Sequence, residues 1–155
     1  MREILFRGKR ADNGEWVYGY YIKATDHWHE KGIHEDWVVC GALQNGGWFT
    51  IQNRYAVIPE TVGQYTGLTD KNGKKIFEGD IVKVGDEFEE DDFEVGVVTF
   101  CRGTFDGGFY EYNGWVCKDV RGDVDHKSLV IHAFRYIEII GNIHDNPELL
   151  EAYNE

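Results

Sequence analysis

The sequence predicts an all-β protein with one short C-terminal helix, and three observations carry that prediction. Aromatic residues make up 15% of the chain, and 19 glycines stand against only two prolines, a composition that suits pleated strands joined by tight turns. Short apolar stretches alternate with polar residues at a period of two. Between them lie turn dipeptides, Asn13-Gly14 and Asn72-Gly73 above all, whose residues tolerate the positive φ that hairpin turns demand.

The elements follow in order. Ile4 to Arg7 reads as a first strand running into the Asn13-Gly14 turn. The return strand, Trp16 to Ile22, puts Trp16, Tyr18, Tyr20 and Ile22 on one face and Val17, Gly19, Tyr21 and Lys23 on the other. Aromatics on both faces predict a strand that is covered twice or that meets a partner. Residues 25–36 are polar and His-rich, with a turn expected at Lys31-Gly32. Trp37–Cys40, Trp48–Ile51 and Arg54–Ile58 read as three further strands, the last ended by Pro59.

A second unit is expected from residue 61, so the organisation reads as a β-rich region at 1–60 and an SH3-like small barrel at 61–155, or both in one compact unit. Its strands are Gln64–Thr66, Ile76-Phe77, Ile81–Val84, Val95–Phe100, an aromatic–glycine alternation over Phe105–Val116, Val130–Phe134 and Tyr136–Ile140. The helix is announced by Asn146 as N-cap, Pro147 at the first helical position and Glu148 complementing the dipole before Leu149-Leu150.

Three stretches carry a resemblance. FRGKRADNGEWVYGYYI at 6–22, QYTGLTDKNGKKIFEGDIVKV at 64–84 and IEIIGNIHDNPELL at 137–150, joined by Gly96–Phe100, resemble the YopX family of phage and prophage proteins from end to end. The resemblance implies a phage- or prophage-encoded, β-rich homo-oligomer of unsettled biochemical role. It implies no catalytic residues.

Charge narrows the partners. The formal net charge is −12. Residues 1–75 carry 10 Lys+Arg and 9 Asp+Glu, a net +1, and residues 76–155 carry 6 and 19, a net −13. Such a half repels phosphate backbones and favours a basic protein partner. Direct nucleic-acid binding through Arg2, Arg7, Lys9 and Arg10 with Trp16, Tyr18 and Tyr20 as stacking groups is therefore disfavoured against a mixed-charge hairpin with a structural aromatic cluster. With a charged N-terminus and no apolar run near the roughly 18 residues of a spanning helix, the expected compartment is the cytoplasm of a bacterial host, with no membrane partner.

Four chemistries can be weighed against plainer readings. If Lys31-Gly32 closes a two-residue hairpin, His27, His29, His34 and Asp36 share a face that could hold zinc. A one-residue slip destroys that match, so a solvated polar loop is preferred and no cofactor is expected. The run Asp86, Glu87, Glu89, Glu90, Asp91 and Asp92, interrupted by Phe88, lacks the glycine and flanking helices of an EF-hand. It reads as a solvated face or, alternatively, as an acidic surface that imitates DNA phosphates toward a host nucleic-acid enzyme. The segment Gly67–Lys75 has the wrong spacing for a phosphate loop, with Lys75 where Ser or Thr must bind magnesium. Catalysis has thin support: Ser128 is the only serine and lacks a nucleophile elbow, and Cys101 or Cys117 would need folding to meet His126 or His132. Cys40, Cys101 and Cys117 are an odd, unpaired set, read as reduced thiols behaving as small hydrophobes. The expectation is a non-enzymatic binding or assembly protein that forms a homo-oligomer.

Overall fold

The computed structural model describes residues 3–23, 36–43, 49–85, 93–105, 110–119 and 136–152. Ten strands and one short helix fill them, as the composition demands. The chain divides into two compact units, Met1–Tyr65 and Thr66–Glu155. Among the described residues, no helix is long and apolar enough to cross a membrane.

In the first unit, β1 (Phe6–Lys9) and β2 (Trp16–Ile22) form the expected hairpin, with Arg7 opposite Tyr18 and Lys9 opposite Trp16. Strand β1 begins two residues later than the apolar run Ile4-Leu5 suggests. Ile4 is exposed instead, because residues 6–9 are the ones that find partners across the hairpin. Gly14 sits at φ +75° with open space around it, so the turn needs its backbone freedom. Strand β3 (Asp36–Leu43) pairs antiparallel with β2, and β4 (Phe49–Val57) with β3. The two strands expected at 48–51 and 54–58 are thus one. No glycine or proline separates them, and a bulge absorbs the mismatch: Cys40 faces Asn53 and Gly41 faces Ile51, leaving Gln52 as the extra residue.

On its other edge β1 pairs with the start of β5 (Gly63–Thr69), at Phe6–Gln64 and Arg7–Gly63. A 3-10 turn at Pro59–Thr61 links β4 to β5. The Thr61 hydroxyl accepts the Lys9 N–H at 2.8 Å and donates to the Ile58 carbonyl at 2.7 Å. Val38, Val39, Val57 and Tyr65 are the buried apolar residues described in this unit.

In the second unit, the end of β5 turns through Asp70–Lys74 into β6 (Lys75–Phe77). A four-stranded antiparallel sheet follows in the order β10-β7-β8-β9, from β7 (Asp80–Gly85), β8 (Glu94–Phe105), β9 (Tyr110–Asp119) and β10 (Tyr136–Asn142). Among the described residues that order does not return on itself, so the sheet is open and the SH3-like closure expected here is not formed by these strands. β8 and β9 pair over ten residues, whereas β7 and β8 pair over four. Ile76, Val82, Val84, Val98, Trp115, Cys117 and Ile137 make one core cluster, with Leu68 and Ile139 packed on it.

The expected strand Val130–Phe134 lies outside the described residues. The helix α1 (Glu148–Ala152) starts where expected. Its cap differs, however: the Asn146 side chain accepts the Asn142 N–H at 3.4 Å, tying the helix entry back to β10.

Candidate functional site

Local chemistry at the β1–β2 hairpin builds the most developed surface feature of the first unit. Asn13 stiffens the tip: its side-chain carbonyl accepts the Glu15 N–H at 3.0 Å and its amide donates to the Glu15 carboxylate at 2.8 Å. Arg10 forks onto Asp12, Nε to Oδ1 at 2.9 Å and Nη2 to Oδ2, with Glu15 a second carboxylate at 3.6 Å. The Asp12 hydrogen bond raises the Arg10 pKa above its ordinary value, and the same bond lowers that of Asp12. Both remain fully charged at neutral pH.

Backbone bonds then hold this tip against β4. The Ala11 N–H donates to the Ala56 carbonyl and the Ile58 N–H to the Lys9 carbonyl, both at 2.9 Å, around an isolated bridge between Arg10 and Val57. Arg10 thereby stacks over the Tyr55 ring at 4.9 Å, while Arg54 stacks over Trp37 at 5.1 Å. Together Arg10, Ala11, Asp12, Trp37, Arg54, Tyr55 and Ala56 line an open groove of about 520 Å³. Its two cations differ. Arg10 is taken by Asp12 and Glu15, whereas Arg54 is exposed and has no carboxylate partner among the described residues.

Beside the groove, β2 alternates as its sequence predicts. Tyr18, Tyr20 and Ile22 are 49%, 50% and 47% exposed, three large outward residues in a row. Ile22 stands opposite the half-buried Trp37, so the strip runs on toward the groove. The inward set behaves differently. Tyr21 packs on Phe6 with ring centroids 5.7 Å apart, and its hydroxyl donates to the buried Asp36 carboxylate. Burial, reinforced by that carboxylate, pushes the Tyr21 pKa up to about 12.

The cations suggested for nucleic-acid contact are placed otherwise. Arg7 is buried and lies 4.7 Å from the Trp16 ring centroid, and Lys9 lies over the same ring at 5.5 Å. Both are packing partners of one indole. Arg2 lies outside the described residues.

In the second unit, the perturbed groups tie down turns. Asp70 is buried, which opposes its charge, yet the backbone N–H groups of Lys74, Asn72 and Ile139 together hold its pKa below the usual carboxylate range. Lys71, Tyr136 and Glu138 form a small surface network: the Lys71 ammonium donates to the Tyr136 hydroxyl at 2.6 Å and meets Glu138 at 2.9 Å, and Tyr136 donates to Glu138 at 2.7 Å. These bonds, Tyr136 first, raise the Lys71 pKa and lower that of Glu138.

Of the expected metal ligands, His27, His29 and His34 lie outside the described residues. Asp36 is described, and its carboxylate is engaged by Tyr21. Among the described residues no cluster of three or more His, Cys, Asp or Glu is set to hold a metal. The acidic run Asp86, Glu87, Glu89, Glu90, Asp91 and Asp92 also lies outside them. None of the three cysteines is in a disulfide; Cys117 lies in the core and Cys40 donates to the Tyr18 carbonyl at 3.0 Å. The groove itself escaped sequence reasoning. Trp37, Arg54 and Tyr55 meet Arg10 only through the pairing of β4 with β3 and with the end of β1, and no pattern within one strand announces it.

The described residues define an antiparallel β-protein of two units with aromatic and cationic side chains on the surface of the first. The YopX protein family model matches residues 5–151. The chain belongs to the YopX family. Its fold is similar to the crystal structure of protein EF1440 from Enterococcus faecalis, at 22% identity and a TM-score of 0.50, covering 97% of this chain and 99% of that one. No curated protein matches the chain.

Proposed function

We propose that this chain is a non-enzymatic binding or assembly protein of phage or prophage biology, which self-associates through the outward face of β2. The exposed run Tyr18, Tyr20 and Ile22 carries the reading. Strands with one face on a core usually turn polar residues outward, and this one presents two phenols and an isoleucine. The strip suits a two-fold contact, because an axis through Tyr20 sets Tyr18 of one copy against Ile22 of the next.

The test is light scattering coupled to size-exclusion chromatography, at rising protein concentration. The expected result is a concentration-dependent dimer or larger species that the double variant Tyr18→Ser, Tyr20→Ser converts to monomer without changing its circular dichroism. A wild-type protein that stays monomeric throughout rejects self-association.

The net charge of −13 over residues 76–155 favours a second reading, an acidic modulator of a host nucleic-acid enzyme that occupies its basic groove. Neutralising Asp86, Glu89, Glu90 and Asp92 should then abolish inhibition of DNA binding by a basic enzyme; unchanged inhibition counts against it.

A further inference from the structure

We propose that the groove between the β1–β2 hairpin tip and β4 is a binding site for a single carboxylate carried on a flat, apolar body. The inference is independent of self-association through β2. Its anchor is Arg54. This guanidinium is held over Trp37 at 5.1 Å, is exposed, and has no carboxylate partner among the described residues. A stacked guanidinium keeps its N–H edge free, and that edge matches a carboxylate with two parallel hydrogen bonds. Trp37 stands opposite Ala56 on the face that carries Arg54, and with Ala56 and Ala11 it gives the body of the ligand an apolar edge to lie against. At about 520 Å³ the groove falls within the size of small-ligand sites.

Charge selects the anion. Arg10 is neutralised by Asp12 and Glu15, so the groove offers one uncommitted positive charge beside two carboxylates. A phosphate dianion needs a second free cation and would meet Asp12 at the rim. A polyanion is opposed further by the net charge of −12. A monocarboxylate needs only Arg54. The same chemistry comes from two sources, a free aromatic acid or the C-terminal carboxylate of a peptide ending in an aromatic residue.

The experiment is a titration of the full chain followed by ¹H–¹⁵N NMR, reading the Arg54 Nε and Trp37 indole signals. The probes are phenylacetate, phenylacetamide, phenyl phosphate, and Gly-Gly-Phe with a free or an amidated C-terminus. The expected result is saturable shifts of those two signals with a free acid, and binding weaker by about tenfold or more for its amide, as the loss of charge-assisted hydrogen bonds requires. Arg54→Gln should weaken binding to a similar degree while leaving distant signals unmoved, and Arg54→Lys should recover only part. The tighter of the two free acids identifies the source. The proposal is overturned if neither acid shifts these signals by about 10 mM, a concentration beyond which binding is negligible. Amides or phenyl phosphate binding as well as the acids, or Arg54→Gln binding like the wild type, also overturn it.

Discussion

Removing the Asp70 carboxylate should loosen the second unit by an amount that its hydrogen bonds define. Oδ1 accepts the Asn72 N–H at 2.8 Å and the Lys74 N–H at 2.9 Å, and Oδ2 accepts the Ile139 N–H of β10 at 3.4 Å. Asn72 and Lys74 are exposed, so water can replace the lost acceptor there, and each bond is worth about 1 kcal/mol net. The long bond to Ile139 adds a fraction of that, so Asp70→Ala should cost about 2–3 kcal/mol in urea unfolding at pH 7. Asp70→Asn should cost less, about 1 kcal/mol, because its carbonyl still serves the turn while its amide would confront the Ile139 N–H as a second donor. The pH dependence supplies an independent check. The folded pKa of Asp70 is depressed, so its contribution is complete above the unfolded aspartate value and is lost as pH falls through the lower, folded value. Asp70→Asn should therefore flatten the acid limb of the wild-type stability profile. Loss of less than about 0.5 kcal/mol in Asp70→Ala, the range of ordinary surface substitutions, or an unchanged acid limb in Asp70→Asn, would contradict this account of the turn.

Three other outcomes follow from the packing and the titration. Gly19→Ala should be far more damaging than Gly14→Ala: a Cβ on Gly19 would lie 2.2 Å from the Val39 carbonyl oxygen, whereas Gly14 has open space and carries only the cost of its φ of +75°, about 1–2 kcal/mol. Thermal melts of both variants settle the order, and equal losses would contradict it. Ile76→Ala, at a fully buried position in the second unit's core, should cost about 2–5 kcal/mol by urea titration. Tyr21, with its pKa raised to about 12, contributes stability that is intact below the unfolded tyrosine value and lost as pH rises toward 12. Tyr21→Phe should remove that alkaline loss, and an unchanged alkaline unfolding limb in the variant would show that Tyr21 is not its source.

Strand alternation and turn chemistry are local, and for that reason they were legible. The β2 strip follows from a period of two in Trp16–Ile22, and the Asn13-Gly14 and Asn72-Gly73 turns from residues that tolerate positive φ. The helix start at Asn146-Pro147 was equally local, but the direction of the Asn146 side chain was not. Asn142 supplies a competing donor that belongs to β10.

The β class, the family, the shared face of Tyr18, Tyr20 and Ile22, and the lopsided charge were all readable from the chain alone, because each depends on neighbouring residues or on composition; that this face is exposed rather than covered came from the fold. Only the tertiary structure decided the merging of 49–57 into one strand, the open order β10-β7-β8-β9, and the meeting of Arg10 with Trp37, Arg54 and Tyr55. Those depend on register. A strand's own residues state which side chains share a face, but a bulge such as the one at Gln52 alters what stands opposite, and that is fixed only when two distant segments pair.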